Sequence, residues 1–155
     1  MEENTGVPGV GDDILAQARE MIGKEGTSCV VIREGKIIHS ADGRGVSPLL
    51  MLYNMDREKL RGSCVVDRVI GKAAAMILDL GKVNSVYGGI MSHAAQGYLS
   101  ERGIPFLYGQ SVDLITDQTG EGICPIENSV LSINEPEAGL AAMTNRIAEL
   151  QKASL

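Results

Sequence analysis

The sequence predicts an α/β protein: a three-layer α/β/α sandwich on a mixed five-stranded sheet, with an extra C-terminal helix. Three observations carry that expectation. After one helix and one hairpin signal, β-branched runs alternate with helical patterns, which implies parallel pairing through right-handed crossovers. With 155 residues the chain is large enough to build one core without disulfide or metal staples. Hydrophobic residues make up 44% of it, yet aromatics are only 3% and Trp is absent, so the core must be assembled from Val, Ile, Leu, Met and Ala.

Taken in order, residues 1–11 are Gly-rich and polar and read as a disordered lead-in. Residues 12–131 read as the α/β/α domain and 132–155 as a helical extension. Asp12 or Asp13 can cap a first helix through about Lys24, with Ile14, Leu15, Ala18 and Ile22 on one face. Ser28–Arg33 and Lys36–Ser40 are β-branched runs joined by Glu34-Gly35, a hairpin signature. In Ala41–Pro48, two glycines flank Arg44, and Ser47 and Pro48 suit the N-cap and first position of a helix carrying Leu49, Leu50, Leu52 and Tyr53. Strand Cys64–Val69 leads into helix Gly71–Leu80. Strand Ser85–Met91 leads into a helix from Ser92 or His93 to about Arg102. Ile104–Tyr108 is a further strand, with Pro105 near its start suiting an edge position. Cys124–Leu131 begins with Pro125 at a helix start. Glu135–Lys152 is helical, with Leu140, Met143, Ile147 and Leu150 in one apolar stripe. That stripe either packs on the chain's own core or mediates self-association.

Charge and cysteine usage narrow the function. The formal charge of −6 disfavours nucleic acid as a main partner. No apolar run approaches a membrane span, and the N-terminus has neither the basic nor the apolar region of a signal peptide. Cys29, Cys64 and Cys124 are odd in number and far apart, which fits a reducing cytoplasm better than a disulfide framework. The expected setting is soluble and cytoplasmic.

Three segments share one physical character, a Gly-containing loop delivering a polar group to a helix start. They are Gly43–Ser47, Asp67–Lys72 and Gly120–Cys124. Helix starts favour anions, and Arg44 or Lys72 beside them would add charge-assisted hydrogen bonds. A phosphate or carboxylate is the natural guest. Arg44, Gly45, Ser47, Gly71, Lys72 and Glu127 are therefore candidate ligand-binding residues, although glycines in turns and solvated cations would look the same. Asp67 either caps the next helix or meets a ligand, and Lys72 either covers the core with its stem or meets an anion. Cys124 stands at an N-cap position, with Pro125 and Glu127 completing a pattern like a capping box. A thiol there gains thiolate character, which Glu127 opposes. No metal-binding spacing occurs: the two histidines, His39 and His93, and the three cysteines are scattered. Neither metal nor cofactor is expected.

In chain order, SCVVIREGKIIHSADGRGVSPLL, VVDRVIGKAAAMIL, VYGGIMS with LSERGIPFLYG, and TGEGICPIENSVL resemble a small uncharacterised prokaryotic domain family. That family has a cytidine-deaminase-like fold but lacks the deaminase zinc site. The resemblance spans roughly Ser28–Leu131 and implies the same sandwich. It also implies no zinc-dependent deamination, since the helix starts at Gly45–Pro48 and Ile70–Ala73 offer no ligand. By the same resemblance, Arg44, Asp67, Lys72 and Cys124 would line the cleft and its guest would be nucleotide-like. The first functional expectation is thus a binding module for an anionic small molecule, with homo-oligomer formation open. The alternative is an enzyme acting on a nucleotide-linked group, with Cys124 as nucleophile or Asp67 as general base.

Overall fold

The computed structural model describes residues 7, 9–24, 26–117 and 119–153. Most of the lead-in, residues 1–6 and 8, lies outside them. Val7 lies inside, and it is buried in the same core as Leu15.

Helix α1 (Asp12–Gly23) buries Leu15, Ala18 and Ile22, as their spacing requires. Gly11 rather than an aspartate stands at its N-cap, without a side-chain cap; Asp12 and Asp13 fall in the first turn, where their charge complements the helix start. Strands β1 (Thr27–Arg33) and β2 (Lys36–Asp42) form the expected hairpin. Glu34 at φ +54° and Gly35 at φ +74° are both left-handed, the geometry that matches the twist of the flanking strands.

Helix α2 (Ser47–Asp56) buries Leu49, Leu50, Leu52 and Tyr53, while its N-cap is Val46, one residue before the predicted Ser47. A short 3-10 turn at Arg57–Lys59 leads towards β3 (Cys64–Ile70) and α3 (Lys72–Leu80). Then follow β4 (Ser85–Ser92), α4 (His93–Glu101), β5 (Phe106–Val112), α5 (Pro125–Asn128) and α6 (Pro136–Ala153). The Ser92 hydroxyl accepts from the Ala95 amide and caps α4. β5 starts later and runs further than its predicted Ile104–Tyr108, because β4 offers a parallel partner as far as the Ser92–Val112 pair.

The sheet order is β2-β1-β3-β4-β5. β1 is antiparallel to both β2 and β3, whereas β3, β4 and β5 are mutually parallel. The predicted mixed five-stranded sheet is therefore the observed one, with β5 on an edge. Alternation of side chains along β1 and β3 splits the core. Val30, Ile32, Cys64 and Val66 pack under α1, while Cys29, Val31 and Val65 face α2, α3 and the other helices. Each such fully buried aliphatic side chain stabilises the fold by about 1.5–3 kcal/mol relative to exposure.

Helix α3 is covered nearly all round, and residues 72–78 are all buried. One of its covers is α6, whose Gly139 abuts Met76 and whose Met143 is fully buried. Leu140 and Ile147 pack against the same core. The apolar stripe of α6 is thus largely covered by its own chain. Among the described residues, no helix is long and apolar enough to cross a membrane. Cys29, Cys64 and Cys124 are all free thiols, the first two buried.

Candidate functional site

The three glycine loops lie close enough for parts of all three to line one cavity, but that cavity is small. Gly45 and Val46, Gly71, and Cys124 with Glu127 enclose about 60 Å³ at the end of β3. That is room for a few water molecules, far below the roughly 300 Å³ at which small-molecule sites begin. Cys124 is the N-cap of α5, and its amide donates to the Ile115 carbonyl at 2.9 Å.

At the start of α3 the anion is already present within the chain. The Glu127 carboxylate accepts from the Lys72 amide at 2.5 Å and the Ala73 amide at 3.0 Å. Burial raises its pKa, while those two amides and the Lys72 charge pull it back. The side chain expected to box its own helix thus caps another one, and α5 has no side-chain cap. Gly71 makes the arrangement possible: a Cβ there would stand 2.6 Å from the carboxylate. The Lys72 ammonium donates to the Leu131 carbonyl at 2.9 Å and to Asn134 Oδ1 at 3.2 Å. It is tied to the chain, with the residue itself buried.

Asp67 is also inside. It lies opposite Cys29 in the β1–β3 ladder and is 3% exposed. Its Oδ1 accepts from the Val69 amide at 3.3 Å. Burial pushes its pKa up from 3.8 to about 7, against smaller opposing effects from nearby amides and Arg68. Burial, and then the Asp67 charge, also raise the Cys29 thiol. Asp67 lines neither the small cavity nor the larger cleft.

That larger cleft, about 390 Å³, lies between β2 and α2, beyond the loop carrying Arg44. Pro48, Met51, Leu52 and Met55 form its apolar wall; His39, Arg44, Ser47 and Lys59 contribute polar groups, and the carboxylates of Asp42 and Asp56 also border it. Gly43 at φ +123° and Gly45 at φ +64° turn the backbone on both sides of Arg44. Among the described residues, Arg44 has no hydrogen-bond or ion-pair partner, and the start of α2 has no side-chain cap. Burial, helped by Lys59 and opposed by Asp56, lowers the His39 pKa. Lys59 itself meets Asp56 at 3.7 Å.

The candidate residues therefore divide. Arg44 and Ser47 open on the larger cleft, Gly45, Gly71, Cys124 and Glu127 line the small cavity, and Lys72 and Asp67 are held inside. Sequence reasoning missed Met51 and Met55, which are 62% and 80% exposed. Their signal was available, since an i, i+4 pair out of phase with Leu49, Leu52 and Tyr53 must face away from the core.

The family described as TM1506, a domain of unknown function (DUF1893), matches residues 17–147. The matched range contains every segment on which the resemblance rests. The crystal structure of a DUF1893 family protein (TM1506) from Thermotoga maritima has a TM-score of 0.80 and 25% identity, covering 93% of this chain and 97% of that one. RibD from Acinetobacter baumannii has a TM-score of 0.46 and 13% identity, covering 84% of this chain and 39% of that one. No curated protein matches. The chain belongs to the DUF1893 family.

Proposed function

We propose that this protein is a small-molecule binding module whose ligand occupies the cleft between β2 and α2. The carrying observation is an apolar-walled cleft of about 390 Å³ beside Arg44, which has no partner among the described residues. Ligand sites are commonly concave and mostly apolar, with a few polar groups that orient the guest. The guest that fits is amphipathic and anionic. Its flat or apolar part would rest on Met51, Leu52 and Met55, whose thioethers suit aromatic rings. Its phosphate or carboxylate would meet Arg44 and the uncapped start of α2. A nucleotide has this division of character, and a cytoplasmic setting agrees with three free thiols. The binding role moves from α3 to α2 because Glu127 already occupies the α3 start.

Thermal shift of the purified chain against nucleoside monophosphates and diphosphates, ADP-ribose, NAD and inorganic phosphate tests this. A ligand at one hundred times its Kd stabilises by about 2.7 kcal/mol, which raises Tm by roughly 5–10 °C at this size. Arg44→Ala and Met51→Ala should each shrink the shift, and both change exposed positions. A flat panel, or a shift indifferent to both substitutions, overturns the proposal.

A second reading, an enzyme with Asp67 as general base or Cys124 as nucleophile, draws on the titration of Asp67 near neutrality. Turnover of a nucleotide-linked compound lost in Cys124→Ser, with selective alkylation of Cys124 near neutral pH, would favour it. An unreactive Cys124 would count against the nucleophilic form.

A further inference from the structure

The two edges of the sheet are protected unequally. β2 carries Lys36, His39 and Asp42, and its pairing with β1 is interrupted by register shifts. Charges and irregularities of this kind discourage a second strand from adding to an edge. β5, sequence FLYGQSV, carries no charge and no proline, and its four consecutive residues Tyr108–Ser111 are exposed. Apart from its ladder with β4, no backbone group of Phe106–Val112 is hydrogen-bonded among the described residues. A seven-residue strand therefore presents a row of free donors and acceptors to its outer side.

We propose that β5 pairs antiparallel with β5 of a second copy of this chain, making one continuous sheet of twice five strands. A two-fold antiparallel pair is centred on a single residue, and centring on Gly109 is the choice that opposes all seven residues of β5. Phe106 then faces Val112 of the other copy, Leu107 faces Ser111, and Tyr108 faces Gln110. The Phe106–Val112 pairs, an aromatic against a β-branched residue, are the favourable ones at the two ends. No like charges meet. Gly109 at the axis adds no bulk, and it has none to spare: a Cβ there would stand 2.9 Å from the Gly89 carbonyl oxygen. This self-complementarity is why the occupant is another copy and not an unrelated peptide.

Sedimentation equilibrium of the full chain across micromolar concentrations provides the test. The expected mass is twice the 16.4 kDa of one chain. Tyr108→Lys combined with Gln110→Lys sets Lys against Lys twice per dimer in this register and should weaken association by about tenfold or more. Tyr108→Lys combined with Gln110→Glu sets opposite charges face to face and should restore the dimer. Both positions are exposed, and circular dichroism confirms that each variant is folded. A monomeric wild type overturns the proposal. So does a Lys/Lys variant that associates as the wild type does, or a Lys/Glu variant no tighter than the Lys/Lys one.

Discussion

Replacing Asp67 by Asn should make this protein more stable above neutral pH and remove part of its pH dependence. Asp67 is buried, and its carboxyl titrates at about 7 in the fold against 3.8 when exposed. The folded state therefore holds this proton more tightly than the unfolded state. Such a group stabilises fully below pH 3.8 and progressively less as pH rises to 7, after which its penalty is constant. The interval corresponds to about 4 kcal/mol once the carboxylate is fully ionised. Local relaxation softens penalties of this kind, so a gain of about 2 kcal/mol or more is the expectation at alkaline pH. Asn is uncharged throughout and keeps an oxygen for the Val69 amide. Urea melts of both proteins at a series of pH values between 4 and 8 would read the difference directly. The two curves should nearly coincide at the acid end and separate through the neutral range, with unchanged m. Parallel curves, or a variant less stable at alkaline pH, would refute a buried Asp67 whose ionisation opposes folding.

Three further substitutions probe the contacts that hold the small cavity and α6. Glu127→Ala leaves the Lys72 and Ala73 amides without their acceptor inside the protein and should cost about 3 kcal/mol in urea melts. Gly71→Ala drives a Cβ into that same carboxylate and should cost about 1–3 kcal/mol alone, but clearly less in the Glu127→Ala background. Strict additivity would show that the clash is not the cause. Gly139→Ala drives a Cβ into Met76 Sδ; overpacking should outweigh the gain in helix propensity and cost about 1 kcal/mol net. A midpoint that is unchanged or raised would show that α6 does not press on α3 as closely as described.

Much of the architecture is local information. Glu34-Gly35 between two β-branched runs signals a two-residue hairpin loop, and both residues adopt the left-handed geometry such a loop needs. The alternation after it permits few topologies, since crossovers between parallel strands are right-handed. The α6 stripe at three-four-three spacing could only be a buried face, although the spacing did not say against what. The strand and helix positions follow from periodicity, which each segment carries within itself.

The candidate site is different, because its contacts join residues remote in sequence. Lys72 and Glu127 are 55 residues apart, and no local pattern says that Glu127 turns away from its own helix to cap α3. An anion-binding helix start and a helix start already filled by a carboxylate look the same in sequence. Asp67 likewise carries no mark of its burial, since a strand-end carboxylate acquires its raised pKa only when the helices close over it. Local pattern is enough to put three polar loops near helix starts. Packing brings parts of all three together on a space of about 60 Å³, while Arg44 and the methionines of α2 border a separate one of about 390 Å³. Cavity volume and desolvation depend on how all the layers pack together, which no single segment encodes.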